Sequence, residues 1–314
     1  MKKAFTIIIL NLLFITCLAQ TDRKLFIADS ITHEPIEYAS IVFVGIEGGT
    51  YSNNKGVFYI PQNVEQIELS SIGYNTKTTI LQKNIDTIFL FPQVYELTEA
   101  KILPIKKKRK SVELGYAQKN SIYTHMSLPG EEIAVYIPLI NNENAYRLIK
   151  RVLFKERVYV ARKFNLYKID YTSVFKINFY SVAENNEIGE LINTEDIVFT
   201  SDILKTTTKL DVSKYNIYMP ENGIFVAVEW VGKINTESEE IMKTDIKERI
   251  LPFIRTSWEI ENSIVYEKRR FSKEYGYNWK KVDKNNEIIK SIKTIDKNLK
   301  EDAFYTPLIS IVLE

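Results

Sequence analysis

Between Lys24 and Leu90 the apolar residues come in short clusters, each closed by turn formers. Leu25-Phe26-Ile27 runs into Asp29-Ser30-Ile31-Thr32-His33-Glu34-Pro35, where Asp, Ser, Thr and Pro all favour chain reversal. Residues 38–44 predict a second strand, Gly45, Gly48 and Gly49 a turn, and Asn53-Asn54-Lys55-Gly56 another. Further strands are predicted over 57–60, 66–70 and 87–91, with Gly73-Tyr74 turning between the last two. Strands this closely spaced, without a helical period between them, point to a small β-sandwich or barrel.

The later half repeats the signal on longer strands. Residues 174–182 alternate, with Phe175, Ile177 and Phe179 on one face and Lys176, Asn178 and Tyr180 on the other. Asn185, Asn186 and Gly189 supply the next turn. Pro220-Glu221-Asn222-Gly223 then leads into 224–230, which is apolar apart from Glu229 and so predicts a central strand. Residues 263–271 and 308–313 continue the pattern. Ala145, Leu148, Ile149 and Val152 fit a helical spacing, but Val152, Phe154, Val158, Tyr159 and Val160 favour a strand, which we assign. Residues 236–250 read as a short helix or a charged loop.

The N-terminus has a different grammar. Met1-Lys2-Lys3 is basic, and 4–18 is almost continuously apolar, the form of a secretory leader cut after Ala19. That run is short for a membrane span, which needs about 20 apolar residues. Cys17 offers a rival reading as a lipidated cysteine, with Thr16 before it and Leu18 after it. If the cut follows Ala19, the single cysteine of the chain is lost with the leader and no disulfide is available. These residues predict an exported protein of the periplasm, the outer-membrane surface or the extracellular space.

Residues 28–41, Ala28-Asp29-Ser30-Ile31-Thr32-His33-Glu34-Pro35-Ile36-Glu37-Tyr38-Ala39-Ser40-Ile41, resemble the opening of a carboxypeptidase regulatory-like domain. Residues 50–60 are similar to the hairpin of that domain, and Ser70-Ser71-Ile72-Gly73-Tyr74 matches its S-x-x-G-Y segment. The hairpin aspartate of the family is replaced by Asn53 or Asn54, and the glycine before its first strand by Lys24 or Leu25. The resemblance implies a prealbumin-like β-sandwich over 20–100, common in exported Gram-negative proteins and without peptidase chemistry of its own. Residues 175–192, 210–216 and 223–230 are more patchily similar to jelly-roll sandwiches appended to envelope proteins. The expected organisation is therefore all-β: a leader over 1–19, the first sandwich over 20–100, a basic linker over 101–114, and a larger jelly-roll-like sandwich over 115–314.

Charge narrows the list of partners. Residues 20–104 carry six Lys/Arg against ten Asp/Glu, and 111–314 carry 29 against 30. A nucleic-acid binder would show a basic face on a folded domain, which argues against that class. The exception is Lys106-Lys107-Lys108-Arg109-Lys110, which reads as a solvated linker or as a peripheral contact with an anionic membrane surface.

Candidate chemistry is sparse. The two histidines, His33 and His125, stand apart in the sequence, and no H-E-x-x-H zinc motif, G-x-S-x-G elbow or phosphate loop is present. No motif marks a cofactor or a metal; a structural calcium in a jelly roll needs clustered oxygen ligands, and no D-x-D-x-D run announces one. Glu229 is the most suggestive carboxylate for a glycosidase, against the plainer reading of a charge at a strand end. Trp258, Trp279 and Tyr277, with Tyr275 nearby, offer either a sugar-stacking platform or core and cross-strand aromatics. The reading that results is a non-enzymatic envelope protein acting in adhesion, assembly or partner binding. A carbohydrate-binding accessory protein using those aromatics ranks second, and a glycosidase third.

Overall fold

The computed structural model describes residues 22–93, 110–119, 124–126, 128–160, 171–201, 206–242, 250–258, 260–273, 278–285, 289–290 and 304–314. The leader, residues 106–109 of the basic run, Tyr275 and Tyr277 lie outside the described residues. The protein is all-β, as the patterning predicts, and the described residues contain no helix of seven or more.

The first sandwich comprises β1 (Arg23–Asp29), β2 (Ser40–Phe43), β3 (Gly49–Tyr51), β4 (Val57–Ile60), β5 (Gln66–Ser70), β6 (Lys77–Ile80) and β7 (Thr87–Leu90). Its two sheets have the orders β4-β1-β7 and β3-β2-β5-β6, and β1 and β7 pair in parallel. Alternation turns Leu25, Ile27, Ile41, Phe58, Ile67 and Leu69 into one shared core. Residues 50–60, expected as a hairpin, do something else: β3 pairs with β2 in one sheet, and β4 pairs with β1 in the other. The turn at Asn53–Gly56 is thus a crossing between sheets. Strand β6 escapes the sequence reading because none of its four residues is buried, so no apolar alternation marks it.

The larger sandwich opens with β8 (Val112–Gly115), β9 (Thr124–Met126), β10 (Glu131–Ile137), β11 (Ile149–Val160), β12 (Tyr171–Val182), β13 (Ile188–Leu191), β14 (Ile197–Ser201) and β15 (Thr207–Asp211). It continues with β16 (Ile224–Asn235), β17 (Ile241–Met242), β18 (Ile250–Ser257), β19 (Val265–Arg269), β20 (Lys280–Val282), β21 (Thr306–Pro307) and β22 (Ile309–Leu313). One sheet runs β13-β12-β16-β10-β19-β20, with β14 on β12 and β17 on β16. The other runs β21-β18-β11-β22-β8, with β15 on β11 and β9 on β18. The predicted central strand is β16, placed between β12 and β10. Of the stretch read as helix or loop, 236–242 forms a turn and then β17, which folds back on β16.

Between the two sheets lies the main core, with Ile133, Phe175, Ile177, Val228 and Trp230 facing Val152, Phe154, Ile254, Ile309 and Ile311. The opposite face of the β12-β16-β10-β19 sheet carries Lys176, Asn178, Tyr180, Glu229, Glu132 and Lys268. In an antiparallel pair, directly opposed residues share a face, and Lys176 opposes Glu229, which opposes Glu132, which opposes Lys268. A register shift beside Val231 separates the Val174–Gly232 pair from the Phe175–Trp230 pair. The bulge leaves Val231 on the outer face with Val174, where both meet Tyr38 and Tyr51 of the first sandwich.

Candidate functional site

One end of the outer face of this sheet, around Val174, Val231 and Ile234, is shielded from solvent. Tyr38 and Tyr51 of the first sandwich cover that end, and a buried polar network fills the seam beside them. Arg270, just past β19, directs Nε to Glu229 Oε1 at 2.8 Å and Nη2 to Oε2 at 3.5 Å. Tyr51, at the end of β3, donates its hydroxyl to the same Oε1 from the other sandwich. Glu132 Oε1 accepts from Asn178 Nδ2 at 2.7 Å and from the Tyr180 hydroxyl at 2.8 Å. Lys176 pairs with Asp196 at 2.9 Å, and Asp196 also accepts from Ser71 of the first sandwich at 3.0 Å. Three carboxylates and three cations (Arg270, Lys176 and Lys268) therefore share one interior and balance one another.

The two facing glutamates are driven apart electrostatically. Burial pushes the Glu229 carboxyl up, but the charges of Arg270 and Lys176 and the hydrogen bonds from Arg270 and Tyr51 more than reverse this and hold it at about 2. Burial pushes Glu132 up as well, and the Glu229 charge pushes it further in the same direction. Carboxyls separated in this way are the signature of acid–base pairs in enzymes. Here both side chains are sealed, at 1–2% exposure, and neither lines the cavity at the seam. That cavity, about 620 Å³, is walled chiefly by apolar and aromatic groups such as Phe43, Tyr51, Phe58, Met242 and Phe271.

Phe271 fixes the two bodies together. A Cβ on Gly49 of the first sandwich would fall 2.2 Å from one edge of its ring, and a Cβ on Gly130 of the second 2.6 Å from the other. Only residues without side chains leave this slot open. The Gly48 N–H donates to the Phe271 carbonyl at 3.2 Å, and the Tyr51 ring meets the Phe271 ring edge-on at 5.1 Å. Asn53 adds a further tie. Its Oδ1 accepts from the Lys55 and Val57 amides, and its Nδ2 donates to the Glu239 carbonyl at 3.0 Å. The aspartate that the family resemblance would place here has no such donor.

A second charged cluster lies on the inner face, between the sheets. His125 on β9 points Nε2 at Glu131 Oε1 of β10 (3.2 Å) and at Glu267 Oε1 of β19 (3.1 Å). Burial pulls the imidazole down, but the two carboxylates more than reverse that and lift it to about 10. The Tyr305 hydroxyl donates to Glu267 Oε1 at 2.8 Å, the Leu128 amide to Glu131 Oε2 at 2.8 Å, and Arg269 Nε lies 3.3 Å from Glu131. One donor atom from each of His125, Glu131 and Glu267 falls within 4.8 Å of the others, a set able to hold a metal ion.

The residues singled out from sequence do not converge. Trp258 is 7% exposed and belongs to the main core, in ring contact with Tyr305 at 6.1 Å. Trp279 is half-buried against Tyr180, with the Lys268 ammonium over its ring at 5.5 Å. Tyr277 lies outside the described residues. Glu229 is brought to the seam as a clamped carboxylate. His33 sits exposed in the predicted turn between β1 and β2, edge-on to Phe89. His125, isolated in the sequence, gains two carboxylates because β10 pairs with β19. A faint signal of both clusters exists in Glu131-Glu132, adjacent acids opening an apolar strand, one for each face. Comparison of the chain with protein-family models, with curated proteins and with solved structures finds no match.

Proposed function

We propose that this is a non-enzymatic, exported envelope protein whose two sandwiches act as one rigid module for adhesion, assembly or binding of a protein partner. The observation that carries this reading is the clamp on Glu229. The carboxylate most suited to catalysis is spent on Arg270 of one sandwich and Tyr51 of the other, and among the described residues it does not line the seam cavity. A buried, hydrogen-bonded ion network at a seam fixes orientation more than it adds stability, which suits a scaffold that presents a surface. A carboxypeptidase regulatory-like character for the first sandwich is part of this proposal; its two-sheet core is compatible with it, whereas the 50–60 crossing departs from the expected hairpin.

The reading is tested on two fronts. Cross-linking in cells should capture one recurrent protein partner, and capture should fall when Phe271→Ala loosens the seam. Incubation of the purified chain with a broad polysaccharide panel should release no reducing ends. Release that stops in a folded Glu229→Gln variant would replace this reading with a glycosidase.

A further inference from the structure

We propose that His125, Glu131 and Glu267 form a binding site for a divalent transition ion, zinc by preference, that ties the two sheets of the larger sandwich together. Spacing is the first support for the site. Donors bound to one ion at about 2.0–2.2 Å stand roughly 3.0–3.5 Å apart, and Nε2 of His125 is 3.2 Å and 3.1 Å from the two carboxylate oxygens. The second is unsatisfied valence. One ring N–H cannot serve two carboxylates fully at once, whereas an ion between the three groups serves both. Glu267 is 1% exposed, and its Oε2 has no hydrogen-bond partner, so a further donor is ready to complete a four-donor shell. A buried carboxylate oxygen left without a partner is costly and calls for a physical reason.

The surroundings fit a ligand set held in place. Tyr305 and the Leu128 amide hydrogen-bond the two carboxylates, and the Tyr305 ring lies 4.7 Å from the imidazole, so all three ligands are oriented from outside the shell. Arg269 offsets one carboxylate charge. Mixed imidazole and carboxylate donors suit zinc and its neighbours, whereas calcium prefers an all-oxygen shell.

Position gives the ion its role. His125 arrives on β9, which pairs with β18 in one sheet, while Glu131 and Glu267 lie on β10 and β19 of the other. The tie therefore crosses the core.

The test uses the untagged chain, stripped with chelator and titrated with zinc chloride alone, with cobalt as a coloured substitute. The expected result is one equivalent of zinc per chain, a higher melting temperature, and cobalt absorption of a nitrogen–oxygen site. His125→Gln, checked for native circular dichroism, should weaken binding beyond the roughly 10–100-fold that loss of an outer-shell partner costs, and Glu267→Gln provides a second variant. His33→Gln should change nothing. Absence of stoichiometric binding by the folded wild-type chain overturns the proposal whatever the variants do. Undiminished binding by a folded His125 variant overturns it equally.

Discussion

On the outer face of the eight-stranded sheet, Glu229 is held by a guanidinium and a phenol contributed by two different sandwiches. On the inner face, Glu131 and Glu267 share a single imidazole inside one sandwich. Both faces bury carboxylates at 1–3% exposure, and both do so next to a continuous apolar core. The outer set counts three anions against three cations and links two bodies. The inner set brings one donor atom from each of three residues within 4.8 Å of the others and links two sheets. Buried charge by itself therefore says little about function; what decides is whether the partners surround the charge or converge on a common centre.

The comparison breaks most sharply when one partner is removed. Glu229→Leu strands Arg270 and Tyr51, and equilibrium denaturation should register a loss of about 3–5 kcal/mol. Trp258→Ala should cost a comparable ~3–5 kcal/mol if the ring acts as core, and a glycan platform would instead leave stability unchanged. Acid sharpens the outer half of the contrast. The folded-state carboxyl of Glu229 lies at about 2, below its ordinary 4.5, so its stabilisation is complete above pH 4.5 and lost as pH falls through 2. That is on the order of 3 kcal/mol, and a Glu229→Gln chain should lack this part of the acid limb in pH-dependent unfolding.

Phe271→Ala empties the two-glycine slot, for about 2 kcal/mol at a half-buried position. Limited proteolysis should then cut at the seam while each core stays folded. The smallest effect belongs to Glu132→Gln. Its carboxyl is raised by burial and by the Glu229 charge, so ionisation at neutral pH works against folding. The amide keeps an acceptor for Asn178 and Tyr180, so thermal melting should stay within about 1 kcal/mol of wild type or rise.

The sequence legibly carries whatever is periodic. Phe175, Ile177 and Phe179 fall in the core as alternation requires, and the apolar run around Glu229 is the central strand it resembles. Pairing between distant strands has no such trace. Tyr51 reaches Glu229 across 178 residues, and Arg270 reaches it across 41. His125 looks solitary because its two carboxylate partners are brought together by the β10–β19 pairing, which no motif spacing encodes. The 50–60 crossing resembles a hairpin in sequence because a turn between two strands looks the same whichever sheet each strand then joins.

The last strand, Ile309–Leu313, is inserted between β11 and β8, so it is an inner strand of its sheet. During synthesis, β11 waits through some 150 further residues before that neighbour exists, with Val152 and Phe154 lacking the Ile309 and Ile311 they pack against. Assembly of the larger sandwich is consequently dominated by long-range closure, a slow route that exposes unpaired strands to one another. Loss of residues 309–313 would detach β8 from that sheet and strip β11 of one neighbour.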